Sequence, residues 1–379
     1  MKTKFPEITH ISQLDFLRDE PEFIFKQEGN FTIVFYAVAF PHTFGDLDEF
    51  GHQTEEAMIR RECRGITFDK DGNIYSRPYH KFFNLNEREE TQKNVVDFNQ
   101  KHIFLDKLDG SMIRFVEMDG NIVPFTKAGY SEVAKECEEL AVTENIRSFV
   151  KDCLRDGLTP IFEYIGSPKY PIVLQYEQPE LILTAIRETK SGSYHKHKSL
   201  EETGRVYNIP VVPNLNVRDI ETAQELAEEI KDTEGWVVRF DSGYMIKVKT
   251  SFYLRNHNNK EKINKPRHLT NLILNNDIDD ILPELSDVDR KFVKNKMEVL
   301  KSNIDKLVKE ATLDFLDCNK NYTETDRASF AKRAKTKKNP DVMFSLFNGS
   351  DIEEVIIKRI LRYTTSDTKF EQEYGWLYE

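Results

Sequence analysis

No stretch of this sequence approaches 18 consecutive apolar residues, so a transmembrane helix is not expected. The first residues, MKTKFPEITHISQLDF, have no uninterrupted apolar core and do not read as a secretory signal. Cysteine is scarce: Cys63, Cys137, Cys153 and Cys318 are scattered, and no CxxC pair occurs. That excludes a cysteine zinc site and a disulfide framework and points to reduced thiols in a cytosol. No GxxxxGK[ST] sequence is present, and no Gly-rich loop leads from a strand into a helix, which argues against a P-loop ATPase or a protein kinase. There is no internal repeat and no low-complexity linker.

What is present is a charged chain, 39% hydrophobic and 31% charged, whose 379 residues are enough for two domains. The net charge is −11 but is unevenly spread. Residues 255–379 hold 23 Lys+Arg against 22 Asp+Glu, and residues 1–254 hold 31 against 43. The C-terminal third also contains RASFAKRAKTKKNP (327–340), with six positive charges and no acid. Such a run is either a solvated face or a phosphate-contacting patch, so the acidic total does not exclude a nucleic-acid partner.

Up to about residue 254 the pattern is mainly β. FTIVFYAVAF (31–40), GSMIRFVEM (110–118), GNIVPFTKA (120–128), TPIFEYIG (159–166), LILTAIRET (181–189), GWVVRF (235–240) and YMIKVKT (244–250) are rich in β-branched and aromatic residues. Helical spacing predicts helices over 143–156 and about 219–232. The linkers are often too short for crossovers, so the sheet should be mostly antiparallel. After residue 255 the β pattern stops. Ser286-x-x-Asp289 reads as a helix start, followed by one long amphipathic helix to about Leu316, and 351–364 reads as another helix. The fold class expected is α+β, an antiparallel-sheet domain over 1–254 followed by an all-α domain over 255–379, with the boundary near 254–268.

HIFLDKLDGSMIRF (102–115) sets a single lysine, Lys107, between an apolar run and the tight turn Asp109-Gly110. In YMIKVKTSFY, alternation puts Lys247, Lys249, Ser251 and Tyr253 on one strand face and Ile246 and Val248 on the other. Taken alone, that face reads as an outer sheet surface washed by water. Lys127 in PFTKAGY shares its face with Phe125. Glu163 interrupts an otherwise apolar strand, where a carboxylate is costly unless paired or bound to metal. Glu234-Gly235 precedes WVVRF and alone is merely a turn.

One nucleophilic lysine, several further cations and isolated carboxylates are what nucleotidyl transfer uses. Freeing a lysine lone pair at pH 7.4 against a pKa of about 10.4 costs roughly 4 kcal/mol. Neighbouring cations, an apolar wall and a bound metal all work in that direction. The same cations neutralise charge on a triphosphate as pyrophosphate leaves. Mg²⁺ prefers oxygen ligands, which the glutamates supply.

KLDGS resembles the K-x-D-G motif of covalent nucleotidyltransferases, the ligases and capping enzymes. FTKAGY, IFEYIG, EGWVVRF and MIKVKTSFY follow in family order, and ECRGITF (62–68) and SRPYHKFFNLNE (76–87) precede it. Together they resemble the RNA ligase 1 family of T-even bacteriophages over about residues 31–254, and more loosely through the helical region. The resemblance implies an ATP-dependent enzyme that seals broken tRNA. Lys107 would take AMP in a phosphoramidate bond. Lys247 and Lys249 would contact the ATP phosphates, with Lys127 and Arg64 assisting. Glu163 would serve the metal, Mg²⁺ with Mn²⁺ as substitute, and Glu234-Gly235 would line the adenosine pocket. Asp109, Gly110, Lys81, Phe83 and Tyr253 fall on family motif positions. Tyr36 matches a triphosphate contact, although the segment between Tyr36 and Arg64 is longer here. NNDIDDI (275–281) resembles an acidic pair brought to a metal from the helical domain, giving Asp279 and Asp280; helix-capping carboxylates are the competing reading.

The partner implied is RNA with 5′-phosphate and 3′-hydroxyl ends, such as a tRNA nicked in its anticodon loop. The expected setting is cytoplasmic, in a bacterial host if the chain is phage-encoded, with no membrane, and a monomer is the default. DNA ligases and mRNA capping enzymes follow the last lysine motif with a small β-barrel, which the helical pattern after 254 does not offer. A nick-sealing RNA ligase of the second phage family stays open as an alternative, as does a noncatalytic RNA-binding protein with the same fold.

Overall fold

The computed structural model describes residues 5–40, 42–45, 53–169, 173–319 and 327–378. The chain divides into two compact units, Met1–Leu254 and Arg255–Glu379. The first is α+β. Its strands are β1 Phe23–Glu28, β2 Phe31–Tyr36, β3 Arg64–Phe68, β4 Ile74–Ser76, β5 His102–Asp106, β6 Ser111–Met118, β7 Asn121–Phe125, β8 Leu158–Ile165, β9 Glu180–Glu188, β10 Gly235–Phe240 and β11 Met245–Lys249. They form three sheets in the orders β1-β2-β3-β4, β11-β10-β5 and β7-β6-β8-β9, with every pairing antiparallel among the described residues. Pro124 is tolerated in β7 because β7 is an edge strand, whose outer side needs no ladder donor. Helices α1 Glu55–Glu62, α2 Glu132–Leu140, α3 Glu144–Arg155, α4 His197–Tyr207 and α5 Ile220–Glu229 pack around the sheets. Thr143 and Asp219 cap α3 and α5 by accepting from the amides of Ile146 and Thr222.

Alternation in the strands assigns the faces. In β10, Trp236, Val238 and Phe240 turn towards Ile220, Ala223 and Ala227 of α5, and Ile246 and Val248 of β11 join them. Burying an indole removes about 150–250 Å² from water, of order 4–6 kcal/mol at about 25 cal/mol per Å². A one-residue slip would expose Trp236 and bury lysines, so register is firmly set. Lys247 and Lys249 are consequently on the opposite face. In β8, Phe162 and Tyr164 enter the core with Phe115 and Phe149, and Glu163 points the other way.

Two local expectations are corrected. Ser251 and Tyr253 do not continue the strand. Thr250 ends it: its Oγ1 accepts the Tyr253 amide at 3.1 Å and its carbonyl accepts the Leu254 amide, starting helix α6, Ser251–Asn264. Lys127 does not share a strand face with Phe125, because β7 ends there and the backbones of Thr126 and Gly129 close a turn on each other.

The second unit is helical: the rest of α6, then α7 Pro266–Leu274, α8 Ile278–Ile281, α9 Asp287–Asn319, α10 Arg327–Ala334, α11 Pro340–Phe347, α12 Ile352–Tyr363 and α13 Asp367–Tyr374. Ser286 Oγ accepts the Asp289 amide at 3.1 Å and so starts the long α9. Leu300, Ile304 and Leu307 of α9 pack against Phe330, Met343, Ile356, Ile360 and Phe370 from the shorter helices. No helix among the described residues is long and apolar enough to cross a membrane. All four cysteines are free and buried.

Candidate active site around Lys107

The polar faces of the β11-β10-β5 and β7-β6-β8-β9 sheets meet at a cavity of about 100 Å³. Lys107 follows β5 directly, held by its amide donating to Gly235 O at 2.9 Å. Lys107, Lys247, Glu163 and Arg64 line the cavity together with the apolar side chains of Met112 and Val237. Lys247 is fixed by a strap from Lys81 to Leu85: its amide donates to Phe83 O at 2.9 Å and its carbonyl accepts the Leu85 amide at 2.8 Å.

Glu234 joins two of the lysines. Its Oε2 lies 2.6 Å from Lys107 Nζ and its Oε1 lies 2.9 Å from Lys249 Nζ, with the glutamate itself only 3% exposed. The resemblance implied that Glu234 lines an adenosine pocket; the structure pairs it directly with Lys107. Gly235 is required beside it, since its φ is +135° and a Cβ there would stand 2.0 Å from Val248 O.

Asp109 is nearly buried and fully engaged. Oδ1 accepts the Tyr253 hydroxyl at 2.7 Å, and Oδ2 accepts the amides of Val173 and Leu174 at 2.7 and 2.8 Å. Its own amide donates to Tyr176 Oη at 2.9 Å. Gly110 is needed next to it because a Cβ would stand 2.4 Å from Tyr164 O and 2.9 Å from Glu163 Cγ.

The remaining cations gather nearby. Lys127 Nζ donates to Tyr36 O at 3.0 Å and sits 4.2 Å from the centre of the Tyr36 ring. Lys81 Nζ lies 5.7 Å from the same ring and 5.3 Å from that of Phe83. Burial, and then the Arg64 guanidinium, lower the pKa of Lys81 and of Lys127. Lys247 is pushed well below the usual amine range by burial first and then by Arg64, Lys81, Lys107 and Lys249. Burial raises the Glu163 carboxyl to about 7, against the opposing pull of Lys107 and Arg64. These amines repel one another, and a polyanion placed among them relieves that repulsion.

Asp279 is exposed on α8 in the second unit, and the side chain of Asp280 lies outside the described residues. No group of three or more His, Cys, Asp or Glu side chains able to hold a metal occurs among the described residues. Sequence reading missed Asp106, whose carboxyl is raised by burial and accepts the Thr233 hydroxyl at 3.1 Å. Its position immediately before Lys107, at the end of an apolar strand, was the available signal. Tyr79 and Phe82, the latter in the strap, also line the cavity, and Tyr176 anchors Asp109. Nothing in their local pattern marks them.

A family model described as RNA ligase matches residues 62–253. A Thermovibrio ammonificans protein named "Putative RNA ligase" is 35% identical over 254 residues, covering 64% of this chain and 66% of that protein. RNA ligase 1 of bacteriophage TS2126 is 27% identical over 208 residues, covering 52% of this chain and 51% of its own. The chain therefore spans less than two thirds of the length of either curated relative. Among solved structures, an archaeal ATP-dependent RNA ligase (form 2) aligns with 95% of this chain and 77% of its own, at 12% identity and a TM-score of 0.45.

Proposed function

The chain belongs to the RNA ligase family, and from that premise we propose that it is an ATP-dependent RNA ligase working through a lysyl-AMP intermediate. The observation that carries the reading is the amine of Lys107 at a cavity it shares with Arg64 and Lys247, with Lys249 joined to it through Glu234. Lys107 Nζ leaves Glu234, gives up a proton to solvent water and attacks the α-phosphorus of ATP; the new N–P bond forms as the bond to pyrophosphate breaks. Arg64, Lys247 and Lys249, with Lys81 and Lys127 beside them, hold the triphosphate in line and take up the charge of the leaving pyrophosphate. AMP then passes to the 5′-phosphate of an RNA, and a 3′-hydroxyl attacks that activated end, expelling AMP.

Glu163 and Asp106 both line the cavity and are the carboxylates there suited to a divalent ion. Mg²⁺ ordinarily takes one or two carboxylates and completes its shell with phosphate oxygens and water, so this pair beside a triphosphate site fits it. Mg²⁺ or Mn²⁺ supplies charge neutralisation on the phosphates when bound. The motif order offers Asp279 and Asp280 of the second unit as further candidate metal carboxylates.

The finer reading assigns residues 1–254 to adenylyl transfer and 255–379 to recognition of RNA, with a tRNA cleaved in its anticodon loop as substrate and the cytoplasm as setting. Its support is the motif order and the basic run 327–340. Sealing of nicks in duplex RNA is the competing substrate choice.

The test is incubation with ATP labelled at the α-phosphorus and Mg²⁺, without RNA, followed by denaturation. The wild type should carry acid-labile label, Lys107→Ala none, and labelled GTP should not substitute. Protein pre-treated with pyrophosphate, to strip AMP acquired during expression, that still takes no label would overturn the reading. Competition between a nicked tRNA and a nicked RNA duplex then decides the substrate.

A further inference from the structure

Behind the cavity lies a charge that the proposed chemistry does not use. Arg114, in β6, is completely buried, and no carboxylate pairs with it among the described residues. Its Nε donates to Gly65 O at 2.8 Å, one terminal nitrogen donates to Thr67 Oγ1 at 2.6 Å, and the other has no hydrogen-bond partner. The guanidinium carbon lies 5.3 Å from the centre of the Phe125 ring. A buried cation hydrogen-bonded only to neutral acceptors, and favoured electrostatically by the Glu28 carboxylate without an ion-pair contact, is expensive, and an apolar side chain of like size would fill the space at lower cost. Its placement gives it something to do.

Gly65 is the point of contact. It follows Arg64, which lines the cavity, and its φ is +101°. A Cβ there would stand 2.7 Å from Lys127 O and 3.2 Å from Lys127 Cα, so the two backbones touch. Arg114 reaches from one sheet to the next: β6 pairs with β7, with Arg114 opposite Phe125, and the turn carrying Lys127 follows directly. The fork on Gly65 O and Thr67 Oγ1 ties β3 to that strand pair.

We propose that Arg114 is a positioning residue for nucleotidyl transfer, fixing the spacing between Arg64 and Lys127 through the Gly65 carbonyl. This rests on reading the cavity as the ATP site. Arg114 touches no phosphate in this account; it sets where two phosphate-facing cations stand, and a shift of about 1 Å in such groups can cost on the order of 100-fold in rate. Lysine cannot replace it fully, because one ammonium has no planar fork for two acceptors.

The test is single-turnover formation of the lysyl-AMP adduct at varied ATP for wild type, Arg114→Met, Arg114→Lys, Lys127→Ala and the Arg114→Met/Lys127→Ala double variant. Rates are taken per adenylylation-competent site, and folding is checked by circular dichroism. Arg114→Met should lower the rate per site at sub-saturating ATP by roughly 10- to 100-fold, with Arg114→Lys between it and wild type. In the Lys127→Ala background the Arg114 change should cost markedly less, because one of the two groups whose spacing it sets is gone. Unchanged constants in folded Arg114→Met, or losses that simply multiply in the double variant, would overturn the inference while leaving the ATP site intact. Should Arg114→Met fail to fold, Arg114→Lys with and without Lys127→Ala gives the same comparison. A wild type that forms no adduct at all would instead sink the ATP-site reading.

Discussion

The Tyr253 hydroxyl donates to Asp109 Oδ1 at 2.7 Å, tying the irregular link between β5 and β6 to the first turn of the helix that follows Lys249. Two lysines far apart in sequence are thereby locked to a common frame. Hydrogen bonds to a charged group contribute about 1.5–3 kcal/mol, and a carboxylate this buried has no water to turn to. Tyr253→Phe should therefore lower the unfolding free energy by about 1–3 kcal/mol. Asp109→Ala should lower it further, since the amides of Val173 and Leu174 also lose their acceptor. Denaturant titration of both single variants and the double variant measures the coupling. Strictly additive losses would mean that the two side chains do not act as a pair.

Gly235→Ala should be among the most damaging small substitutions in the first unit. The residue sits at φ +135°, opposite Lys249 in the β10–β11 ladder, and a methyl there would stand 2.0 Å from Val248 O. The combined backbone and steric cost is about 2–4 kcal/mol. Displacing this strand end also moves Glu234 away from Lys107 and Lys249. Thermal unfolding and ATP labelling are both expected to fall; a variant with wild-type values in both would refute the close approach.

Acid sensitivity should have an identifiable source in His80. Burial first, and then the Arg187 guanidinium, push its imidazole down to about 3 from an ordinary 6.5. The folded state keeps it neutral where the unfolded chain would protonate it. Between about pH 6.5 and 3 the unfolded state binds more protons, so this part of the stability is present above 6.5 and is lost as the pH falls. In urea titrations at pH 7.5 and pH 5, the wild type should lose more stability on acidification than His80→Gln. Equal losses would place the acid sensitivity elsewhere.

The basic run 327–340 is not uniform. Lys337 is held by Asp314 at 3.1 Å and Asp317 at 2.7 Å, and those hydrogen bonds raise its pKa. Lys335 and Lys338 are exposed. If this patch meets RNA phosphates, Lys335→Ala and Lys338→Ala should each weaken RNA binding. Each should also reduce the slope of log K against log salt by roughly 0.7–0.9, whereas Lys337→Ala should change it little. A slope unaffected by both exposed lysines would assign the patch to solvent.

Some of this was legible in the residues themselves. Alternation alone put Lys247 and Lys249 opposite Ile246 and Val248, and the structure has them so, because a strand's side-chain period is a local property of its backbone. Apolar spacing and Ser286 marked the start of α9, and the sequence change near 254 marked where β gives way to helix. Helices α1, α2, α4, α6, α7, α8, α10, α11 and α13 were not individually foreseen; apart from the 14-residue α6, whose sequence is mostly polar, none exceeds 11 residues, too few for a convincing period.

By itself, then, the sequence determined what its short-range periodicity could encode: most of the strands and the faces on which the cations lie. The tight turn expected at Asp109-Gly110 did not form, because β5 and β6 pair in different sheets and only an irregular link with a bend at Gly110 joins them. Tertiary structure alone decided the pairings. Glu234 meets Lys107 because β10 lies between β5 and β11, and Tyr253 reaches Asp109 because Thr250 stops the strand one residue before the helix. Arg114 meets Gly65 because two separate sheets come together at that point. Each of these contacts joins residues distant in the chain, and such proximity follows from which surfaces bury against which, information that no local pattern carries.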